Sequence, residues 1–458
     1  MAFRIYQKKI NKAQDDFIND PTTLRATILS ATGSGKTVCY TDLIQKTFTA
    51  SKKPKRILLV HPRLALSSNQ QKRLKKDLKD YSVEFTSFHS GDVYNTRDDK
   101  KNQKTTSREK LEEILATTTH NHITFSSYKS LHKIADLDFD LILCDETHYL
   151  VQSDLRINLH LFRSKVLFYT ATPIEVAAQE ESMDNIDLFG KVIAEVSPSE
   201  LIPDGYIVPP KVRYINVITK GKGNTIDYPT TIAHAYKDQL KHVNPKFIHK
   251  TLVAMPNTIV FSDIMDQLAE IRTIVGDFNL DVYYISAAHC SINGTIYGGD
   301  RREWVLEHFE ANKNHCIIIH CDTLAEGIDI DGIGGIIPFR NLSKSKFIQT
   351  LGRGCRAAKA DMKKNGEIKK NRIKTHCIIT LIRYNNEWIS GAKTSDYAEI
   401  FELGGYGKLW DLVDPDCKRG TPSGEPGDPD DVVWDEIIDI KITTRKDALW
   451  NELFGDPA

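Results

Sequence analysis

A chain of 458 residues has room for two or three domains, and its 40% apolar and 27% charged residues exclude a fibrous, collagen-like or wholly disordered protein. Lys plus Arg equals Asp plus Glu at 61 each, so net charge points to no partner; the basic character is local, at 52–56, 72–76 and 363–370, as solvated faces or anion-facing patches. The polar stretch 1–10 lacks the apolar core of a secretory signal, and no run approaches a membrane span. Eight cysteines, none in a C-x-x-C pair and several inside apolar runs, read as reduced, buried thiols. Together these features predict an intracellular, cytoplasmic protein. His315 and Cys321 alternate with Cys316 and His320 across a strand, so the four diverge instead of forming a metal site.

In chain order, 3–18 reads as a helix carrying Arg4 and Gln7. A Gln amide can donate to and accept from an adenine edge, and an Arg plane can stack on the base; an ordinary surface helix is the other reading. The apolar run 24–29 leads into Ser30-Ala31-Thr32-Gly33-Ser34-Gly35-Lys36-Thr37, followed by a helix over 38–48. Strand, glycine turn, Gly-Lys-Thr and helix form the setting of a phosphate-binding loop. The glycines let backbone N–H groups curl around an anion, Lys36 would reach the β and γ phosphates, and the Thr37 hydroxyl would sit on Mg²⁺. Ser30 stands where the full pattern opens with Gly.

Residues 57–60 predict a buried strand, 64–81 a basic helix, 83–88 a strand, 94–108 a mobile polar insertion and 110–116 a helix. A strand at 123–127 and a helix at 128–134 follow. The strand 141–144 delivers Asp145-Glu146-Thr147-His148. An acidic pair at the carboxyl end of a parallel strand lies where open α/β sheets bind ligands. Asp145 can hold Mg²⁺ through water and Glu146 can polarise the attacking water; a helix cap is the other role for Asp there. The strand 165–169 ends in Thr170-Ala171-Thr172, whose hydroxyls can hydrogen-bond to His148 or close a simple turn. Strand–helix alternation over 24–172 predicts a doubly wound α/β domain, and 201–210, with three prolines and a glycine, predicts a linker.

The second half repeats the alternation without a phosphate loop. Helices are predicted at 230–249, 262–275, 301–309 and 346–355, and strands at 258–261, 282–286, 316–320, 335–337 and 376–381. Arg353 and Arg356, three apart, would share a helix face and offer two guanidinium groups to a phosphate in transfer; a surface pair is the alternative. Beyond them lie an acidic linker at 421–429 and an amphipathic tail at 432–454 with Trp434 and Trp450, which docks on the core or on a protein partner.

In order and spacing, these motifs resemble the superfamily 2 DExH-type helicases and translocases over residues 3–390. The resemblance implies two tandem RecA-like doubly wound parallel-sheet domains, 1–205 and 206–400, with 401–458 as a C-terminal extension. It implies an ATP hydrolase using ATP and Mg²⁺. Arg4, Gln7, Thr32, Gly33, Ser34, Gly35, Lys36, Thr37, Gly327 and Asp329 would bind the nucleotide, and Thr37 and Asp145 the metal. Glu146, Lys36, Gln349, Arg353 and Arg356 would be catalytic; Pro62, Arg63, Ser126 and Thr323 would line a nucleic-acid track. The junction at 204–210 resembles that of UvsW-type and XPB-type helicases and type I restriction motor subunits, which are mostly DNA enzymes. Thr147-His148 and the Gln349 start of the last motif depart from the DEAD-box RNA helicases. The implied function is ATP-driven movement on or remodelling of DNA, branched DNA included. An RNA-duplex helicase and an ATP-gated clamp without strand separation are the alternatives.

Overall fold

The computed structural model describes residues 3–62, 64–89, 102–151, 153–173, 182–219, 226–256, 261–286, 288–321, 330, 332–340, 342, 344–363, 367–384, 387–388, 401–402, 404–406 and 438–442. It forms two compact units, Met1–Pro198 and Ser199–Ala458.

The strands of the first unit are β1 (Arg25–Ser30), β2 (Arg56–His61), β3 (Val83–Phe88), β4 (Asn102–Thr105), β5 (Asn121–Ser127), β6 (Leu141–Asp145), β7 (Lys165–Thr170) and β8 (Lys191–Val196). They make one sheet in the order β4-β3-β5-β2-β6-β7-β1-β8, with every neighbouring pair parallel. A parallel sheet is covered on both faces, which is why β2, β6 and β7 are almost continuously apolar and buried along their length. Helices α1 (Ile5–Asn19), α2 (Lys36–Thr49), α3 (Leu64–Asp77) and α4 (Arg108–Thr117) supply part of that cover. Because the strands run the same way, the carboxyl ends of β1, β2, β6 and β7 fall on one edge of the sheet.

The second unit contains β9 (Pro210–Thr219), β10 (Lys250–Ala254), β11 (Asp281–Ile285), β12 (His289–Ile292), β13 (Thr295–Gly298), β14 (Cys316–His320), β15 (Ile333–Pro338), β16 (Cys377–Tyr384), β17 (Glu387–Trp388) and β18 (Ile438–Ile442). Their order is β13-β12-β11-β14-β10-β15-β16-β9-β18, with β17 paired to β16. From β11 to β18 the path is parallel; the β12–β13 hairpin and β17 are antiparallel additions. The chain thus has the expected architecture of two tandem RecA-like α/β units.

Several local expectations need correction. The helix predicted to reach residue 249 ends at Lys241, because Pro245 cannot continue a helix and biases Asn244 away from helical geometry. The strand that follows is β10, whose Lys250 and Thr251 disguise five buried positions. Of the strand predicted at 258–261, residues 258–260 lie outside the described residues and Phe261 opens a helix, Phe261–Asp266. Part of the polar insertion at 94–108 is β4, and the rest before Asn102 lies outside the described residues. The proline-rich stretch 201–210 is no slack tether. Ile207 and Val208 are fully buried, Ile207 bridges Arg356, and the Val208 N–H donates to the Cys355 carbonyl at 2.7 Å.

The second unit's core holds a buried polar network. Gln239 donates to Thr380 Oγ1 at 2.8 Å, and its Oε1 accepts from Thr251 Oγ1 at 2.6 Å and meets His249 Nε2 at 2.9 Å. Only glycine fits at Gly335 opposite it, since a Cβ there would lie 2.1 Å from Gln239 Oε1. Burial pushes the His249 imidazole down to about 3, so it enters this network neutral.

Lys374 is 2% exposed and donates to the carbonyls of Gly354 and Ile333, at 2.6 Å each, and of Arg356. It therefore closes the carboxyl end of the helix Lys344–Gly354, where carbonyls lack intrahelical partners and a cation is favoured. Lys374→Met should strip these carbonyls of their donor and cost about 3 kcal/mol. Urea unfolding followed by tryptophan fluorescence checks this; an unchanged midpoint contradicts it.

Candidate functional site

β1 ends at Ser30 and α2 begins at Lys36, so the intervening residues must reverse from extended to helical within one tight loop. Gly33 and Gly35 make this possible at φ +85° and +89°. At Gly35 a side chain is excluded twice over, by its left-handed backbone and by Gln7 Nε2, 2.8 Å from where a Cβ would stand. The Ser30 and Ser34 hydroxyls lie 2.6 Å apart and pin the two ends of the loop together. This is the work Ser30 does where the full pattern has Gly. The Thr32 hydroxyl is buried without a hydrogen-bond partner.

The start of α1 rests on this loop. Tyr6 Oη and Gln7 Nε2 both donate to the Ser34 carbonyl, at 2.9 and 3.3 Å. Gln7 Oε1 accepts the Arg4 N–H at 3.1 Å, and the Arg4 guanidinium donates to Tyr6 Oη at 2.7 Å. Arg4 and Gln7 are thus gathered at the phosphate-type loop, with the Gln7 amide engaged at both ends.

Lys36 Nζ donates to the Ser30 carbonyl at 3.2 Å and lies 3.9 Å from Glu146 Oε1. The acidic pair stands at the end of β6. Asp145 is 5% exposed; burial first, and the neighbouring Glu146 second, push its carboxyl up to about 6, while Lys36 and Gln70 pull it down. Glu146 adopts φ +52°, a conformation that costs a non-glycine residue about 1–3 kcal/mol and marks functional sites. Its Oε2 is buried, makes no hydrogen bond, and lies 3.5 Å from His148 Nδ1. That imidazole meets the hydroxyls of Thr170 at 3.0 Å and Thr172 at 3.3 Å, as the sequence suggested. A connected chain therefore runs from Lys36 through Glu146 and His148 to the end of β7.

Three further groups shape the pair, and their bonds to it were not expected from the sequence. Gln70 Nε2 on α3 donates to Asp145 Oδ2 at 2.8 Å, Tyr128 Oη donates to the Asp145 carbonyl at 2.6 Å, and His61 Nδ1 lies 3.9 Å from Asp145 Oδ2. His61 is fully buried, which pushes its imidazole down to about 3 and keeps it neutral. These three lie in or at the ends of segments 61–70 and 126–131, which resemble helicase motifs, but their contacts with Asp145 are visible only in the fold.

Of the residues expected on a nucleic-acid track, Pro62 is half-buried, and Ser126 is 1% exposed with its hydroxyl donating to the Ser127 carbonyl at 3.3 Å. Arg63 and Thr323, like Gly327 and Asp329, lie outside the described residues. In the second unit, Gln349 and Arg353 are each 6% exposed on the helix Lys344–Gly354. Arg356 lies beyond the helix end, in the bridge to Ile207. The shared helix face inferred from a spacing of three therefore does not exist; Gly354 and Cys355 stop the helix between the two arginines.

The family model described as "Type III restriction enzyme, res subunit" matches residues 1–175, which include the loop, the acidic pair and the Thr170–Thr172 strand end. No curated relative matches the chain in sequence. Among solved structures, the chain is similar to the ATP-dependent type ISP restriction-modification enzyme LlaBIII bound to DNA. That match has a TM-score of 0.61 and 15% identity, and covers 90% of this chain and 33% of that one. A nuclease-deletion mutant of the type ISP enzyme LlaGI, in complex with a DNA substrate mimic, matches at TM-score 0.57 and 16% identity over 90% of this chain and 29% of that one. A fragment of a putative HsdR subunit of a type I restriction enzyme from Vibrio vulnificus YJ016 matches at TM-score 0.54 and 20% identity, covering 88% and 67%. The chain thus spans about a third of the length of the two type ISP enzymes. At these identities the likeness is one of fold, a pair of parallel α/β units, and residues 1–175 are similar to the res-subunit family model.

Proposed function

We propose that this protein is an ATP-driven motor that moves on or remodels DNA. The observation that carries the reading is the meeting of Lys36, Asp145 and Glu146 beside a glycine loop with two left-handed backbones. A triphosphate and a divalent cation fit these residues. The loop offers backbone N–H groups at the amino end of α2, and the Asp145 carboxyl beside it is raised in pKa by burial first and by the neighbouring Glu146 second. No cluster of three or more His, Cys, Asp or Glu able to hold a metal occurs among the described residues. Mg²⁺ would therefore draw on phosphate and water besides Thr37 and Asp145, as that ion commonly does.

When bound, Mg²⁺ supplies charge neutralisation to the phosphates. Glu146 orients and deprotonates the attacking water through the carboxylate that its strained backbone turns toward Lys36. Lys36 holds the phosphates being separated. His148, kept in place by Thr170 and Thr172, buttresses Glu146 and ties it to the end of β7. Gln349, Arg353 and Arg356 would be catalytic, as the sequence resemblance implies. Gly327 and Asp329 would serve its ribose and phosphates, and Pro62, Arg63, Ser126 and Thr323 the nucleic acid.

DNA as partner is supported by the printed descriptions of the two type ISP neighbours, one bound to DNA and one to a DNA substrate mimic. The sequence resemblance of the 204–210 junction to UvsW-type and XPB-type enzymes suggests branched DNA as substrate. At a branch each pair lost is matched by one gained, so the stacking of about 1.4 kcal/mol per step is recovered. Lys72, Arg73 and Lys76 on α3 are exposed and would hold a strand electrostatically. The test is ATPase rate with single-stranded, duplex and forked DNA and with RNA in parallel. Forked DNA should stimulate most; stimulation by RNA with DNA forks inert would replace this reading with the RNA-duplex helicase. Stimulation without strand displacement or branch movement would favour the clamp.

A further inference from the structure

Gln70 joins two parts of the first unit that the sequence keeps apart. It belongs to α3, which leaves the end of β2 and carries Lys72, Arg73 and Lys76 on its exposed side and Leu74 in the core. Its amide nitrogen donates to Asp145 Oδ2 at 2.8 Å, and its amide oxygen is buried without a hydrogen-bond partner. The other Asp145 oxygen, Oδ1, accepts the Glu146 N–H at 3.1 Å. These two bonds, one to each oxygen, fix the plane of the carboxylate. The imidazole of His61 lies 3.9 Å from Oδ2 and makes no hydrogen bond of its own, so Gln70 is the side chain that holds this oxygen. An amide suits the place. It donates to the carboxylate without neutralising it, and it keeps an acceptor in reserve for a water or N–H arriving at the site.

We propose that Gln70 is a positioning residue that couples α3 to the acidic pair, so that phosphate backbone held along the basic side of α3 and nucleotide held at Asp145 each alter the affinity for the other. The inference deepens the motor reading above and rests on it. Linkage makes the effect reciprocal. A shift of α3 under nucleic acid moves the carboxylate through the Gln70 amide, and a change at the carboxylate moves α3 through the same bond. Gln70→Leu and Gln70→Met keep the apolar stem and remove the amide.

The test measures binding rather than turnover. Anisotropy of a fluorescent forked DNA gives its Kd with and without Mg²⁺ and a non-hydrolysable ATP analogue. Wild-type affinity should change by about 5-fold or more on adding the nucleotide, an ordinary coupling. Both variants should change by less than about 2-fold while still binding DNA and nucleotide separately. Hydrogen exchange on the wild-type protein reads the same link without any substitution: nucleotide alone should alter exchange in α3. Unaltered coupling in variants that remain folded, or α3 exchange indifferent to nucleotide, would overturn the role of Gln70 and leave the motor reading intact. A wild-type protein that binds no nucleotide at all would overturn both.

Discussion

Lys36→Ala should abolish ATP hydrolysis while leaving the first unit folded. The side chain lies at the amino end of α2 with one carbonyl bond to Ser30 and a 3.9 Å approach to Glu146. On the proposed reading it supplies positive charge where triphosphate and carboxylates would converge. Without it, Asp145 and Glu146 repel a bound polyanion with nothing to offset them. Glu146→Gln separates charge from chemistry. It keeps the shape and relieves repulsion, so nucleotide should bind at least as well as to the wild type. Turnover should fall by roughly 10²-fold or more, the effect of losing a positioned base. Phosphate release and binding of a fluorescent nucleotide, measured side by side, decide the matter. Wild-type turnover in the Gln variant removes Glu146 from the mechanism.

The second large effect is expected at Arg353. Arg353→Ala should lower hydrolysis by about 10³-fold or more with nucleotide binding retained, as loss of a guanidinium acting on a transferring phosphate does. Arg353→Lys should rescue little, because an ammonium lacks the fixed fork. Arg356 sits differently, in a bridge to Ile207 with its carbonyl held by Lys374, so its side chain starts from a strand-like position. The two alanine variants should therefore differ in size of effect, unlike a pair on one helix face. Equal ATPase in wild type and Arg353→Ala would show that this side chain contributes nothing to turnover.

The first unit was largely readable because its strands are central and parallel. Runs such as Ile57–Val60 and Leu141–Cys144 are apolar throughout, and each strand runs only one residue past its run, to His61 and to Asp145. Edge and disguised strands escaped. β8 exposes Lys191, Val192 and Glu195 and buries Ala194 and Val196, as an edge does. β10 opens with Lys250, which is buried because its ammonium closes the end of the helix Arg302–Ala311 through the carbonyls of Phe309 and Glu310. No local pattern announces a lysine that spends its charge on a distant helix. The site divides the same way. Lys36, Asp145 and Glu146 have roles that their motifs suggest, whereas the contacts of Gln70, Tyr128 and His61 with the acidic pair depend on how the helices and strands pack. The tail was read as docking on the core or on a partner, and its β18 pairs with β9 from Ile438↔Ile215 to Ile442↔Thr219.

That last pairing bears on synthesis. The sheet of the first unit is complete once Val196 exists, for β8 is its final strand. The second sheet cannot be finished so early. β9, its first strand in the chain, lies between β16 and β18, its last long strands. From Pro210 onward it waits with both edges open until Cys377–Tyr384 and then Ile438–Ile442 have been translated. At 5–20 residues per second that wait lasts roughly 10–45 s, and pairings so distant in sequence close slowly even afterwards. A nascent chain would therefore carry a finished first unit well before the second could close. During that interval the unpaired edges of β9 are the part of the molecule most in need of a chaperone.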